Sequence, residues 1–425
     1  MRKDPRTLLV AAIVFNIIVV FVLLPAVKDL YPYINIDTFP DHYEKLAMNL
    51  AEGNGYRFYA ETSATMGRTP GYPLILALVF LLTGKSLFAA KLINLLFAVA
   101  TAYMIRILVR GFSHSKLVMY LTPLFFLLHP ATLLAETRGG PEIVLAFSIT
   151  LSLNLLYHAI RTGRGRDHFL TGLALGVSTL IKSTTLLFPF AWLVFSPLFR
   201  KAGLKRACRG ALLMILGLSA VLSPWIIRNA RVSGKFVPTM TVVGMSASQG
   251  LAICKNAVLL KPWTEGNYTG RGMNEAAYAG LQEAAKLGYK CKGRYFIFFY
   301  STHDEIEFNA HLLDQVIDEY KRSPLLLLKC LWVNLFNFWF AGVTILATLI
   351  NMLIQTPLMV FAAIGAVRYI KSARSELVMP LVLFIGYYVA VHIPILAIAR
   401  HSLPLIPILA VLASGLLEHF QSKFS

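Results

Sequence analysis

The chain has 425 residues, of which 57% are hydrophobic and only 14% charged, against roughly a quarter charged in an ordinary soluble domain. That composition excludes a soluble globular protein. A formal net charge of +19 would point to nucleic acid in a soluble chain, but in one this apolar it reports membrane topology, because Lys and Arg collect on cytoplasmic loops.

The apolar residues come in blocks, among them 8–27, 92–108, 117–134 and 377–398, close to the ~20 residues that cross a ~30 Å hydrocarbon core. Six short basic clusters separate them: Arg2/Lys3/Arg6, Arg106/Arg110/Lys116, Arg161/Arg164/Arg166, Arg200/Lys201/Lys205/Arg206/Arg209, Arg368/Lys371/Arg374 and Lys423. They hold 18 of the 40 basic residues. Placing every cluster inside predicts ten crossings, near 7–27, 87–108, 117–134, 141–160, 169–183, 184–199, 210–227, 344–367, 377–398 and 402–419, with both termini cytoplasmic. The expected fold class is an all-α polytopic membrane protein, one membrane domain over 1–425. The first block is read as an uncleaved span, since Pro25, Ala26 and Val27 before Lys28 make a poor signal-peptidase site.

In chain order, the first span is followed by an external loop over 28–70. Within it 41–52 is predicted as a short helix, with Asp41 able to cap its start and Gly53 to stop it. Gly71 to Leu82 is apolar but too short to span, and reads as a helix along the outer leaflet. Leu325 to Phe340, interrupted by Lys329, Asn334 and Asn337 and anchored by Trp332 and Trp339, also reads as an outer-face helix. The second external segment, 228–324, is long enough for a small subdomain. Of the four cysteines, Cys254, Cys291 and Cys330 fall on the outer side; they read as isolated thiols, with a bridge between Cys254 and Cys291 as the alternative that oxidising conditions there allow.

Several ordered motifs run along the chain: an acidic residue after the first span, Tyr43-x-x-x-Ala47, Gly53-x-Gly55-Tyr56 and Arg68-Thr69-Pro70-Gly71-Tyr72-Pro73. They continue through the glycine-rich stretch Gly172 to Gly176 leading to Lys182, then Pro224-Trp225-Ile226-Ile227-Arg228-Asn229 followed by Gly234 to Pro238, and end with Arg400-His401-Ser402-Leu403-Pro404-Leu405-Ile406-Pro407. In this order they resemble the GT-C superfamily of polyprenyl-phosphate-dependent membrane glycosyltransferases, in particular the branch containing the protein O-mannosyltransferases and the lipid A aminoarabinose transferase. The resemblance implies a GT-C-type helical bundle with a sugar-transferring site on the outer face of the cytoplasmic membrane. The family's acidic residue usually precedes the loop tyrosine by four positions, where this chain has Phe39, so Asp37 and Asp41 straddle it.

Nucleotide sugars are made in the cytoplasm, so an outward-facing transferase needs a donor already flipped across the bilayer, a sugar on a polyprenyl phosphate. Such chemistry needs a carboxylate to take the acceptor's proton and cations to stabilise the departing phosphate. Asp37 is the first choice for the base and Asp41 the second. Arg228, Arg400, Lys182 and Arg68 converge on the outer boundary as candidate phosphate ligands, with His401 as a helper. Glu136 and Glu142, flanking Arg138, Gly139, Gly140 and Pro141, form a possible acceptor or metal site, or an ion pair with Arg138. No metal or other cofactor is assigned. The expected partners are the polyprenyl-phosphate-sugar donor, a glycan, lipid or protein acceptor, and membrane lipids, with no nucleic acid. The rival readings are a transporter or lipid flippase and a noncatalytic envelope-assembly subunit. No Walker phosphate loop, HExxH or GxSxG motif is present.

Overall fold

The computed structural model describes residues 5–28, 37–199, 203–256, 268–293, 296–342 and 344–424. Residues 29–36, 257–267 and 294–295 of the two external segments, and Arg2, Lys3, Arg200 and Lys201 of the basic clusters, lie outside them. The described residues form seventeen helices: α1 (Arg6–Val27), α2 (Tyr43–Ala51), α3 (Gly71–Thr83), α4 (Leu87–Val109), α5 (Lys116–Leu127), α6 (Pro130–Glu136), α7 (Glu142–Thr162), α8 (Gly165–Ile181), α9 (Phe188–Phe199), α10 (Gly203–Ser233), α11 (Val243–Asn256), α12 (Tyr268–Lys286), α13 (Thr302–Arg322), α14 (Pro324–Trp339), α15 (Ile345–Tyr369), α16 (Ser375–His392) and α17 (Ile406–Phe424). A two-stranded antiparallel ribbon, β1 (Cys291–Lys292) with β2 (Phe298–Phe299), completes them. The chain is an all-α polytopic membrane protein.

Among the described residues six helical segments are long and apolar enough to cross a membrane, namely α1, α4, α7, α10, Ile345–Ser372 and Ala399–Gln421, and α5 with α6, bent by 59°, makes a seventh if counted as one broken span. Helices also stand at the other three expected crossings, but α8, α9 and α16 do not pass on length and composition, so the count of ten is not established. Lys182 and a 3₁₀ turn over Ser183–Thr185 end α8 early. The helix expected to be too short to span is so, α3 having 13 residues, and α14, expected to lie on the outer face because polar residues interrupt it, has 16.

Local chemistry explains many of the boundaries. Ser86 and Thr344 accept hydrogen bonds from the backbone N–H of Ala89 and Ala347, capping α4 and α15. Pro130 takes the first position of α6, where a missing N–H costs nothing, and His129 caps it through Nδ1. In α1 a π-helical turn at Val19–Leu23, closed by the Leu24 N–H donating to the Val19 carbonyl, precedes Pro25, which has no N–H to donate. Apolar side chains that face outward, such as Val10, Val14 and Val22 on α1, Leu78 and Leu82 on α3 and Leu353 on α15, need a hydrocarbon medium to be tolerable.

The main core runs through α4, α7, α8, α15, α16 and α17. One of its close approaches is between α8 and α10. A Cβ at Gly172 would stand 2.2 Å from the Met214 carbonyl oxygen, and one at Gly217 would stand 2.3 Å from that of Phe169. Without a side chain the two backbones touch, the contact that replaces hydrophobic association inside a bilayer. A second core lies outside it, where Leu46, Tyr56 and Phe58 of the first loop meet Trp225, Val242, Met245, Phe296 to Phe299, Phe308 and Leu312. The large external segment therefore packs down onto the first loop.

Two expectations are corrected here. Asp41 does not cap α2: its own φ is +59°, the helix begins at Tyr43 behind His42 at φ +61°, and neither caps it through a side chain. Cys254 and Cys291 do not meet, because Cys254 is seated with Ile253, Cys330 and Val333 whereas Cys291 lies against the outer core.

The α8–α10 contact carries a prediction. Gly172→Leu should cost about 1–3 kcal/mol through overpacking and lower the thermal midpoint in detergent, while Gly386→Leu, with nothing within 4 Å of its Cβ position, should not. Equal midpoints would show that the close approach contributes nothing.

Candidate functional site

The first loop is held by its backbone before any side chain acts. The N–H of Asp37 donates to Thr137 (3.2 Å) and the N–H of Gly139 donates to Thr38 (2.8 Å), so the loop is fastened to the turn between α6 and α7. That turn must be bare, since a Cβ on Gly139 would fall 2.1 Å from the Phe39 ring and one on Gly140 would fall 2.9 Å from Pro40. Asp37, Asp41 and His42 are the non-glycine residues with positive φ among those described. Backbone held in this region costs on the order of 1–3 kcal/mol per residue and persists where the surroundings fix it.

The side chains explain what fixes it. Arg400, in the 3₁₀ turn Ala399–Leu405 that leads into α17, reaches Asp41 with one nitrogen, 2.8 and 3.0 Å from the two carboxylate oxygens, and its Nε lies 3.7 Å from Glu142. Arg68 and Lys182 act electrostatically on the same Asp41, and the charges acting on Lys182 are Glu142, Arg400, Asp41 and Arg68. Arg138 feels Arg400, Glu142 and Asp41 as well. Burial alone would raise the Asp41 carboxyl, but Arg400, Arg68 and Lys182 outweigh it and hold it well below the usual carboxylate range. His401 is buried behind this group, its ring 5.0 Å from that of His392 and its Nδ1 without a hydrogen-bond partner.

Six of the expected site residues thus converge: Asp41, Glu142, Arg400, Lys182, Arg68 and His401. Others do not. Asp37 forms its own ion pair with Lys91 of α4, with Lys28 4.0 Å away. Glu136, fully buried at the end of α6, has neither carboxylate oxygen hydrogen-bonded and is not the ion-pair partner of Arg138 in this arrangement. Arg228 is committed elsewhere. Its guanidinium donates to the carbonyls of Thr65 (2.8 Å) and Tyr56 (3.4 Å) and lies over the Trp225 ring.

Arg228 and Glu305 together shape the strand of chain that carries Arg68. Glu305, buried on α13, accepts from the Thr65 hydroxyl (2.6 Å), the Met66 N–H (3.0 Å) and the Thr241 hydroxyl. Arg68 then lies with its guanidinium 4.6 Å from the centre of the Phe296 ring. The sequence reading missed Lys91 and Glu305. A lone lysine inside an apolar span needs a partner, and that signal pointed to Lys91. Nothing in the sequence singles out Glu305 from the other acids of α13. Among the described residues no group of three or more His, Cys, Asp or Glu side chains is placed to hold a metal ion.

His42 faces the Phe296 and Phe298 rings edge-on, and burial, then Lys45 and Arg68, pull its pKa from 6.5 down to about 4 against the opposing charge of Asp41. A base with a depressed folded value contributes stability that is present above 6.5 and lost as pH falls toward 4. Asp41, held lower still, keeps its pairing over that window. Thermal midpoints should therefore fall between pH 6.5 and 4, and His42→Gln should flatten that limb. An unchanged limb in the variant would assign the acid sensitivity to another group.

Residues 67–227 match the family model described as dolichyl-phosphate-mannose-protein mannosyltransferase. The fold matches archaeal oligosaccharyltransferase AglB from Archaeoglobus fulgidus, solved in complex with an inhibitory peptide and a dolichol-phosphate, at 13% identity and a TM-score of 0.59, covering 99% of this chain and 51% of that one. A second structure of the Archaeoglobus fulgidus oligosaccharyltransferase, in complex with Zn and sulfate, gives 14% identity and a TM-score of 0.56, over 98% and 49% of the two chains. ArnT from Cupriavidus metallidurans bound to undecaprenyl phosphate aligns more loosely, at 14% identity and a TM-score of 0.39, over 95% and 78%. No curated protein matches the sequence. The chain spans about half the length of the oligosaccharyltransferases that share its architecture. At these identities the likeness is one of fold, and the chain is a polytopic membrane protein with the architecture of the Archaeoglobus fulgidus oligosaccharyltransferase.

Proposed function

We propose that the chain is a glycosyltransferase that moves a sugar from a polyprenyl-phosphate donor to an acceptor hydroxyl on the outer face of the cytoplasmic membrane, with inversion at the anomeric carbon. One observation carries the reading. Four cations, Arg68, Arg138, Lys182 and Arg400, share a site with two carboxylates, Asp41 and Glu142, and the surplus of positive charge suits a phosphate. The dolichol-phosphate bound by the archaeal relative of the same fold is a ligand of that kind.

In the reaction the acceptor oxygen attacks the anomeric carbon as the bond from that carbon to the phosphate oxygen breaks. Negative charge grows on the departing polyprenyl phosphate, where fixed cations stabilise it more in the transition state than in the ground state. Arg400 is oriented for this by Asp41 and Glu142, which hold its guanidinium from two sides. Both loop carboxylates are ion-paired, Asp41 with Arg400 inside the cluster and Asp37 with Lys91 beside it. Asp37 is the first choice to accept the acceptor's proton and Asp41, which positions Arg400, the second. Arg228 acts through the loop that it braces. The donor sugar is a hexose or a pentose, and the acceptor a lipid, glycan or protein.

Purified protein in lipid, offered a panel of polyprenyl-phosphate sugars, tests the assignment. Asp37→Asn should lower turnover by about 10²-fold or more with donor binding nearly unchanged. Arg400→Ala should weaken donor binding and turnover together. Normal turnover by both Asp37→Asn and Asp41→Asn, in an assay where the wild type works, would remove the first loop from catalysis.

The sidedness has its own check. Arg57→Cys and Glu275→Cys should react with an impermeant thiol reagent applied to intact cells, and Arg164→Cys should not. Protection at position 57 would place the first loop inside.

A further inference from the structure

Two cysteines of the outer side, one in the large external segment and one in α14, meet in the structure. Cys254 near the end of α11 and Cys330 in α14 are both buried. The Cys254 sulfur lies 3.8 Å from the Cys330 carbonyl oxygen and 3.8 Å from the Asn334 side-chain oxygen. The two thiols interact directly with each other, and the Cys330 thiol also meets Tyr320. Ile253, Val333 and Ala341 close around them in a small apolar cluster separate from both larger cores. Neither side chain belongs to the charged site, and among the described residues neither is placed to bind metal with other ligands. Cys208, exposed near the start of α10, and Cys291 stand apart.

We propose that Cys254 and Cys330 are joined by a disulfide in the mature protein. The inference rests on the outward-facing reading above, because only on that side of the membrane do structural disulfides form and persist. Oxidation takes one proton from each thiol and forms the S–S bond. The two electrons pass to the disulfide of an oxidised dithiol carrier of the envelope, which leaves as the dithiol by exchange through a mixed disulfide. Reaction precedes final packing, while the sulfurs are still accessible.

The bond would lie where the outer subdomain meets the membrane bundle. Asn334, one turn beyond Cys330, donates from its side chain to the Ile393 carbonyl (2.7 Å), in the segment that leads to Arg400. Tying α11 to α14 therefore braces the shelf on which the phosphate-facing arginine stands, and constrains the unfolded chain over a long loop.

The wild-type full chain, extracted from membranes without reductant and denatured in excess alkylating reagent, provides the test. Two of the four cysteines, Cys208 and Cys291, should be alkylated, rising to four after reduction, and non-reducing peptide mapping should find Cys254 linked to Cys330. Four alkylated cysteines before reduction, or a Cys254–Cys291 peptide, would overturn the proposal. Four free thiols together with outside labelling of Glu275→Cys would reject the bridge and leave the sidedness standing, whereas four free thiols with position 275 protected would reject both.

Discussion

The half-buried ion pair between Asp41 and Arg400 closes the molecule on itself. It joins the first external loop to the start of the last span across 359 positions of sequence, and the other charged groups of the site are arranged around it. Glu142 steadies the guanidinium from the head of α7, while Lys182 arrives at the broken end of α8 and Arg68 from the rim of the first loop. In a region of low dielectric none of these charges is tolerable alone. Their mutual compensation makes the location possible, and the remaining positive charge makes it useful for an anion.

The strained loop is the other half of the same constraint. Positive φ at Asp37, Asp41 and His42 aims side chains in directions that ordinary helix or strand backbone would not give. The cost is offset by the hydrogen bonds to Thr137 and Gly139, by the aromatic packing of His42, and by the arginine. Helix propensity in the sequence favoured continuing α2 back to Asp41, and tertiary interactions overrode it. Capping was a reasonable expectation for an aspartate before an amphipathic stretch, but the same carboxylate had a stronger partner, invisible at a separation of hundreds of residues.

Much of the architecture was legible because lipid imposes simple rules. Basic clusters marked the boundaries of the spans, and the helix judged too short to cross, α3, is short. The charged cluster was also partly readable, since Arg400, Lys182 and Arg68 all fall at one expected membrane boundary. Arg228 looked equivalent in that projection, yet its guanidinium braces the carbonyls of Thr65 and Tyr56, because membrane depth says nothing about position in the membrane plane. The number of crossings was the least secure element, because helices such as α8 and α9 are interrupted by polar turns that hydropathy averages over. The alternative cysteine pairing failed for a related reason. Cys254 and Cys291 are near in sequence, but α11 turns its sulfur toward α14 and away from β1.

The separation of Asp41 from Arg400 also dictates an order of events. At synthesis rates of about 5–20 residues per second, the aspartate would be made roughly 20–70 s before its partner, and Glu305, which fixes the stretch before Arg68, is also a late arrival. During that interval the loop's charges must be solvated, which water at the membrane surface does at little cost and hydrocarbon does not. A nascent chain stopped before Arg400 would therefore present a chemically incomplete site, with its carboxylates waiting in solvent.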